Sequence, residues 1–493
     1  MKKFSLLIAF SLLLASPLRA ELKVPAIFGD HMVLQQKQSN PVWGWDTPGT
    51  EVTVSFAGQT LSTKAGSEGK WTVKLAPMPA NATPQTLTIV GSTKREIRDV
   101  LIGEVWVCSG QSNMGFKLNQ SYDGDLEAVT GNLPDIRLLN MPLLGTQEIQ
   151  DDFKGWWQAS TPESSRNFSA VGFLFGRRLH EILQVPVGLI NNAWGGSAAE
   201  AWVRRSALEN DPRFKQLIAG AAKREAELLP DQGKAELDRL MAQWQADCIK
   251  AGTTNPPWQP QNYLTANQRP GNIFAGVLHP IIGFGIKGVI WYQGEANAGR
   301  GYEYASLFPF LIEQWRKDWG QGDFPFYWVQ LANFSAQSAI PKDSAWAELR
   351  EAQTKALQLT NTGQAVIIDL GEGKDIHPRN KHDVAARLVR WALVKDYGMK
   401  LPFRSPEFQS LTITSNQATV SIDCFGSKLR PFGVEEAKGF AVCGADKVWH
   451  WATGKIVSVN KVEVWSDAVA SPVAVRYAWG DNPVCNLYSN DGL

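Results

Sequence analysis

Short runs of alternating apolar and polar residues mark the first part of the chain. The alternation runs through residues 51–56 and again through 70–75, and turns that contain glycine, such as Glu68-Gly69, separate the runs. A period of two places the apolar side chains on one face of a β-strand. Residues 21–103 are therefore predicted to form a small β-sandwich-type unit.

From residue 104 onward the pattern changes to continuous apolar runs, each of which ends in a glycine-rich or polar turn. These runs occupy residues 105–108, 186–190, 288–291 and 365–370. Such runs suit strands that are buried on both faces, as in a parallel sheet covered by helices, and helical periodicity lies between them. Residues 104–398 are therefore predicted to form an α/β domain, with its ligand chemistry at the carboxyl ends of the strands.

Two further segments differ from this α/β domain. A polar stretch at about residues 205–262, rich in Ala, Glu, Lys and Leu and broken at Pro230-Asp231, predicts a helical insertion at its edge. Alternation and turns return from residue 399, which predicts a C-terminal β-rich region over 399–493.

The first twenty residues have the pattern of a secretory signal peptide. Lys2 and Lys3 precede an apolar run over residues 4–15, and Ala20 provides a small residue at the expected cleavage site. The apolar run is shorter than the ~20 residues that a membrane-spanning helix needs. We therefore expect an exported protein, periplasmic or extracellular, with no membrane insertion after cleavage of residues 1–20.

Composition and charge exclude several classes of function. The 493 residues are 44% hydrophobic and 20% charged, which is ordinary for a globular protein and excludes wholesale disorder. The 49 basic and 48 acidic residues nearly cancel, so no nucleic-acid partner is expected. The 20 Trp residues suit sugar stacking as well as core packing.

The five cysteines follow no metal-binding pattern. With no CxxC and no paired Cys/His spacing, neither a metal site nor another cofactor is expected. A disulfide among Cys424, Cys443 and Cys485 fits an exported protein.

The residues that could perform chemistry follow the predicted buried strands. Ser112 stands after the first, in Gly110-Gln111-Ser112, where its hydroxyl could be exposed near a helix N-terminus that favours developing negative charge. A helix N-cap is the other interpretation of this serine. Gly195 and Gly196 follow the second strand, and paired glycines let backbone N–H groups point into a cleft, although they also suit a tight turn.

A candidate general base follows the fourth strand. Among the six histidines, His377 combines a position at a strand end, the nearby acid Asp375 and a following proline that stiffens the loop. Ser112 and His377 together would supply a nucleophile and its base. The loop after the third strand adds the polar side chains of Gln293, Glu295 and Asn297, for which an ordinary surface loop is the alternative interpretation.

These segments together resemble the sequence blocks of bacterial sialate O-acetylesterases, which belong to the SGNH-hydrolase superfamily of flavodoxin-like α/β esterases. The four blocks are residues 110–114, 194–197, 291–295 and 375–378, and the likeness extends from residues 28–35 to 475–479. The resemblance implies an SGNH-type catalytic domain with flanking β-sandwich-type units. It also implies a carbohydrate esterase that hydrolyses O-acetyl esters of sialic acids, free or in a sialoglycan.

Carried over block by block, the resemblance makes Ser112 the nucleophile and His377 the base. The oxyanion donors would be the N–H groups of Ser112 and Gly195, or Gly196 in its place, together with the side chain of Gln293. The superfamily places an aspartate three residues before the histidine, where this chain has Lys374. Asp375 is the expected substitute, and a backbone carbonyl that orients the ring is the alternative.

Substrate binding is less specific in the sequence. A sialic acid carries a carboxylate, which arginine recognises well. Arg300 and Arg350 are candidates beside Glu295 and Asn297, with structural ion pairs as the alternative role of both arginines.

Two other functions stay open at this point. An O-acetylesterase acting on plant polysaccharides such as acetylxylan would use the same motifs, because they encode ester hydrolysis and not the identity of the sugar. A non-catalytic carbohydrate-binding protein is the alternative of another class.

Overall fold

The computed structural model describes residues 21–228, 230–251 and 262–493. The predicted signal peptide and residues 252–261, which contain most of the proline-rich end of the predicted insertion, lie outside the described residues. Among the helices within these ranges, none has the length and apolar character needed to cross a bilayer.

The strands of the described chain are numbered in order. They are β1 (Val33–Gln35), β2 (Asn40–Trp45), β3 (Glu51–Phe56), β4 (Gln59–Lys64), β5 (Lys70–Leu75), β6 (Asn81–Val90), β7 (Lys94–Gly110), β8 (Leu133–Asn140), β9 (Trp157–Ser160), β10 (Val187–Ala193), β11 (Gly288–Tyr292), β12 (Phe326–Val329), β13 (Thr362–Ala365), β14 (Glu407–Thr414), β15 (Gln417–Asp423), β16 (Leu429–Pro431), β17 (Phe440–Cys443), β18 (Trp449–Trp451), β19 (Thr453–Ser458), β20 (Lys461–Trp465), β21 (Ala474–Tyr477) and β22 (Leu487–Ser489).

The α-helices of the described chain are numbered in the same way. They are α1 (Ser112–Gly115), α2 (Gly124–Val129), α3 (Pro162–Arg166), α4 (Ala170–Leu183), α5 (Arg205–Glu209), α6 (Lys215–Ala226), α7 (Pro230–Ala251), α8 (Gly301–Trp319), α9 (Ala345–Lys355) and α10 (Lys381–Lys395). Helices α5 to α7 lie in the predicted insertion, and α7 begins at Pro230, as the break in the pattern indicated.

A mixed sheet occupies the middle of the chain, with strand order β13-β12-β11-β7-β10-β8-β9. Neighbouring strands from β13 to β8 pair in parallel, and β9 is antiparallel to β8. Three of the predicted apolar runs lie in β7, β10 and β11. The run at 365–370 mostly follows β13, which starts earlier in the chain. Because the strands are parallel, the loops after β7, β10, β11 and β13 emerge at one edge.

Large aromatic side chains fill both faces of this sheet. Along β12, Tyr327 contacts Trp106 of β7 and Trp391 of α10. Its neighbours Phe326 and Trp328 point to the opposite face, where both contact Phe308 of α8. This alternation follows the two-residue period of a strand and accounts for a continuous apolar sequence with helices on either side.

The N-terminal β-rich unit is joined to this sheet through β7. The first half of β7 pairs with β6 and β1, and its second half pairs with β10 and β11. The predicted boundary between residues 103 and 104 therefore falls inside one strand of 17 residues. A single apolar core extends from the N-terminal unit through the α/β domain.

The C-terminal region, β14 to β22, consists of small antiparallel sheets around a separate core. The expected disulfide is absent, because all five cysteines are free thiols. Cys485 packs against Gly439, just before β17, whereas Cys443 ends β17. Four extended residues span about 13 Å, which exceeds the ~7 Å between Cα atoms that a disulfide allows.

Candidate active site

Ser112 is exposed at the sheet edge by a sharp turn after β7. Gly110 has φ +132, and a Cβ there would lie 2.2 Å from the carbonyl oxygen of Tyr292. Only glycine fits this backbone conformation and close approach. Gln111 then precedes α1, whose first residue is Ser112. The serine hydroxyl therefore lies at the carboxyl end of a central strand.

His377 reaches Ser112 from the loop that follows β13. Its Nε2 lies 2.8 Å from Ser112 Oγ, across 265 residues of sequence. The imidazole also stacks near Phe116, with ring centroids 6.2 Å apart. A serine hydroxyl at this distance can donate to a neutral imidazole, which is the arrangement of a nucleophile and its base.

Asp375 lies near the imidazole but does not hydrogen-bond to it. Its Oδ1 is 3.7 Å from His377 Nδ1 and instead accepts the backbone N–H of His377 at 2.9 Å. No backbone carbonyl of the described residues hydrogen-bonds to Nδ1 either. Asp375 therefore shapes the loop and acts on the ring as a nearby charge, and the described site is a Ser-His pair.

Backbone N–H groups without a hydrogen-bond partner lie in the turn of Ser112 and in the paired glycines packed beside it. The N–H groups of Ser112, Gly195 and Gly196 make no hydrogen bond within the described chain. Gly195 packs against the serine, since a Cβ there would lie 3.3 Å from Ser112 Cβ. The side chain of Asn267 donates to the Gly195 carbonyl, and the Ser197 N–H donates to the Trp194 carbonyl. These bonds fix residues 194–197, which we call the glycine loop. Such pre-oriented donors suit an oxyanion.

The oxyanion role predicted for the side chain of Gln293 is wrong in this structure. Gln293 is fully buried, and its amide donates to the Ser197 carbonyl and to Asn297 Oδ1. Its oxygen accepts from the hydroxyl of Tyr304. With both protons committed, Gln293 holds the glycine loop against α8.

The side chains of Asn297 and Arg300 also bind other protein groups, so they are not free for a substrate. Asn297 is buried, accepts the Ala199 N–H and donates to Glu200 at 3.0 Å. Arg300 pairs with Glu200 and Glu303, at 2.7 Å to each. The predicted substrate-binding roles of both residues are therefore not supported, and they brace the loop after β10.

Arg350 performs a structural task at a different place. It is buried in α9, and its guanidinium donates to the backbone carbonyls of Ala478 and Gly480. Burial lowers its pKa to about 10. Arg350 thus fastens the C-terminal region to the α/β domain through backbone carbonyls, and not through the ion pair that was the alternative to substrate binding.

A buried polar cluster, missed in the sequence, underlies Ser112 and His377. Asn113 donates to Glu295 Oε1 at 2.6 Å and to the Ile376 carbonyl at 3.0 Å, and it accepts from Lys381 Nζ at 2.7 Å. Glu295, predicted to bind substrate, belongs to this cluster instead. Asn113 thereby links the Ser112 turn to the His377 loop. The one sequence feature that could have indicated this role is that Asn113 directly follows Ser112.

The pKa of the His377 imidazole depends on burial and on the charged groups around it. The ammonium group of Lys381 lies over the rings of Phe116 and Tyr292. Burial lowers its pKa to about 7. Burial raises the pKa of Glu295. The pKa of His377 is lowered, mainly by burial and also by Lys381, and Asp375 opposes this shift. The lowered pKa favours the neutral form of His377, which is the form that a base requires.

These shifts predict a pH profile. Because the neutral form of His377 accepts the proton, kcat/KM for an aryl acetate should rise with pH through a pKa below 6.5, the ordinary value of histidine. Asp375→Asn removes the group that raises this pKa, so the acid limb should move to still lower pH. The exposed Asp467→Asn is the control. A shift of the acid limb to higher pH in Asp375→Asn would contradict the role of His377 as the base whose pKa Asp375 raises.

No metal-binding cluster was found in the described ranges, where no three His, Cys, Asp or Glu side chains converge as ligands. The site consists of a hydroxyl, an imidazole and backbone donors.

Comparisons with known proteins identify the family of the chain. The model of a family described as carbohydrate esterase, sialic acid-specific acetylesterase, matches residues 247–386, which include His377. The sialate O-acetylesterase of Mus musculus is 30% identical, over 94% of this chain and 91% of its own. The Homo sapiens protein of that name is 31% identical, over 93% and 88%.

A solved structure extends the likeness to the fold. A novel carbohydrate acetylesterase from Xanthomonas citri is 36% identical, with a TM-score of 0.81 over 96% of this chain and 98% of that one. Sequence relatives of this identity and coverage establish the family: the chain belongs to the sialate O-acetylesterases, a family of carbohydrate esterases.

Proposed function

We propose that the protein hydrolyses O-acetyl esters of sialic acids through an acetyl-enzyme formed on Ser112. The observation that carries this proposal is the 2.8 Å distance between Ser112 Oγ and His377 Nε2 at the edge of the sheet. The family supplies the substrate class, and the unpaired N–H groups beside the hydroxyl supply the means of stabilising an oxyanion.

The reaction proceeds in two steps. His377 Nε2 accepts the Ser112 proton as Oγ attacks the acetyl carbonyl, and the oxyanion accepts from the N–H groups of Ser112 and Gly195. The bond to the sugar oxygen then breaks, and His377 returns the proton to that oxygen. Water then gives a proton to His377 as it attacks the acetyl-enzyme; the bond between the acetyl carbon and Oγ breaks, His377 returns the proton to Oγ, and acetate leaves.

We assign the catalytic domain to the SGNH-type, flavodoxin-like esterases. Apart from β8 and β9, which extend one end of the sheet beyond β10, the strand order is β10-β7-β11-β12-β13. Numbered along the chain this order is 2-1-3-4-5, which is that of flavodoxin-like sheets. Identity to the Xanthomonas citri enzyme is 36%, against 30% to the mouse protein, which supports a place among bacterial members.

We also propose that the protein is exported. The support is the charged start, apolar run and small residue of residues 1–20.

Arg379 replaces Arg300 and Arg350 as the residue proposed to recognise the sialate carboxylate. It lies two residues after His377, and its backbone carbonyl accepts from Tyr122 N–H. Its Nε donates to the Gln120 carbonyl at 3.1 Å, and the guanidinium lies 5.4 Å from the ring centroid of Tyr122. No described carboxylate lies within ion-pair distance, so its two terminal nitrogens are free for a ligand.

The proposal is tested by comparing acetate release from 9-O-acetylated sialic acid and from acetylated xylan. We expect kcat/KM to favour the sialic acid, and Arg379→Ala to raise its KM about 10- to 100-fold, the effect of one charged hydrogen bond. Hydrolysis of an aryl acetate should not change. Arg379→Lys should retain part of the effect, and Arg98→Ala, an exposed arginine of the N-terminal unit, is the matched control.

Two other results of the acetate-release assay would contradict the proposed substrate or the proposed activity. Preference for xylan would replace the sialate by a plant polysaccharide, which stays open because the Xanthomonas citri relative is described only as a carbohydrate acetylesterase. Failure to cleave any acetate ester would overturn the proposed esterase activity and leave the non-catalytic carbohydrate-binding protein as the remaining alternative.

A further inference from the structure

A cleft lies between the α/β domain and the C-terminal region, beside the loop that carries His377. One wall is formed by residues 336–342, and the other by residues 436–440, 451–453 and 479–484; we call it the C-terminal cleft. Its volume is about 390 Å³, within the range of small-ligand sites. None of the residues of the Ser-His site lines it.

We propose that the C-terminal cleft binds a neutral sugar unit of the glycan that carries the acetylated sugar. The inference rests on the proposed function, since it concerns the remainder of that substrate. Its support comes from three features: an exposed indole held by a hydrogen bond, a balanced set of charges, and a lining residue, Asn482, that contacts the catalytic loop.

Trp451, in the edge strand β18, presents the indole. It is 41% exposed, and its Nε1 donates to the Ala339 carbonyl across the cleft at 2.9 Å. An exposed indole that is held by a hydrogen bond offers a flat apolar face at low entropic cost, on which the C–H face of a pyranose can stack. The loss of water from both surfaces favours that contact.

The charges in the cleft favour a neutral ligand. Lys438 pairs with Glu436 on the C-terminal wall. Asp481 accepts from the hydroxyl of Ser344 at 2.5 Å, and Lys342 on the opposite wall adds a positive charge that balances it. The two signs cancel, so the cleft offers polar partners for hydroxyl groups without a net attraction for an anion.

Asn482 connects the cleft to the catalytic loop. Its side chain donates to the Ser335 carbonyl at 2.7 Å and accepts from Asn333 at 2.8 Å, and Asn333 in turn accepts the Gly371 N–H. A Cβ at Gly373 would lie 2.8 Å from Asn482 Nδ2. Gly373 is four residues before His377, at most about 14 Å along the chain. A sugar in the cleft therefore lies within reach of an oligosaccharide held at Ser112.

The test is Trp451→Ala, assayed on 9-O-acetylated sialic acid in the free form and attached to lactose. We expect KM for the lactose conjugate to rise about 10-fold, the effect of losing one stacked ring, with no change for free sialic acid or an aryl acetate. Trp451→Phe keeps a ring and should recover most of the affinity. Phe408→Ala is the control, because Phe408 is 70% exposed in the same region and does not line the cleft.

Calorimetric titration of lactose and of xylotriose into the Ser112→Ala protein separates the two proposals. Binding of either sugar that disappears in Ser112→Ala/Trp451→Ala supports the cleft, even if sialate hydrolysis fails and the proposed function falls. Equal rises in KM for the free and conjugated substrates, or unchanged KM for the conjugate and unaltered sugar binding, would overturn it. Thermal unfolding of each variant excludes loss of fold as the cause.

Discussion

Replacement of Ser112 by alanine is expected to reduce acetate release from an aryl acetate and from O-acetylated sialic acid by about 10⁵-fold. Its Oγ is the hydroxyl at hydrogen-bonding distance from His377 Nε2. Removing the nucleophile from a serine hydrolase costs 10⁴- to 10⁶-fold, and the oxyanion donors and binding alone supply what remains.

The fold should tolerate this change. The Ser112 hydroxyl is bonded to His377 alone among the described side chains, and alanine suits the first turn of a helix. The melting temperature should stay within a few degrees of the wild-type value. Ser55→Ala, at a partly exposed position of β3 in the N-terminal unit, is the control and should keep full activity. Retention of more than a tenth of the wild-type rate by Ser112→Ala would transfer the nucleophile to another residue.

Replacement of Asn113 by alanine is expected to lower kcat about 10²- to 10³-fold while KM changes little. Its side chain joins the turn of Ser112 to the carbonyl of Ile376, one residue before His377. Without it the imidazole loses its fixed position, and a misplacement of about 1 Å costs on the order of 10²-fold. Glu295 and Lys381 also lose their partner, which should cost about 2–3 kcal/mol of stability.

A double variant separates catalytic positioning from stability. Asn113→Ala/Lys381→Met removes the unpaired buried ammonium group and fills its place between the rings of Phe116 and Tyr292. Part of the lost stability should return, whereas kcat should stay low because the loop is still unanchored. Thermal unfolding and steady-state kinetics of the single and double variants measure both. Recovery of kcat together with stability would assign Asn113 to folding alone.

The fold was predicted from the sequence where local pattern decides it. Alternation identified the β-rich ends, and continuous apolar runs identified β7, β10 and β11. The boundary drawn at residue 103 could not reveal that β7 belongs to two units, because one strand passes through both with no break in its apolar pattern. Strand β8 pairs with the same sheet but was not predicted, since charged residues interrupt its sequence.

In the candidate site, too, the sequence predicted some residues correctly as neighbours and could not predict the partners of others. Ser112 and His377 stand out because their side chains follow strands and carry the chemistry of a nucleophile and a base. Gln293 looked equally suitable as an oxyanion donor, but its protons go to Ser197 and Asn297. A polar residue in a sequence shows what it can donate or accept, and not which neighbour already uses that capacity.

By itself, then, the sequence determined the periodicities, the edge at which the loops meet and the chemical kinds of side chain carried there. These depend on residues a few positions apart. Only the tertiary structure decided which polar groups stay free, because their partners come from distant segments. Asn113 meets Ile376 across 263 residues and Arg350 meets Gly480 across 130. Such pairings are set by packing of the whole chain, and they leave the hydroxyl of Ser112 bonded only to the imidazole of His377 among the described side chains.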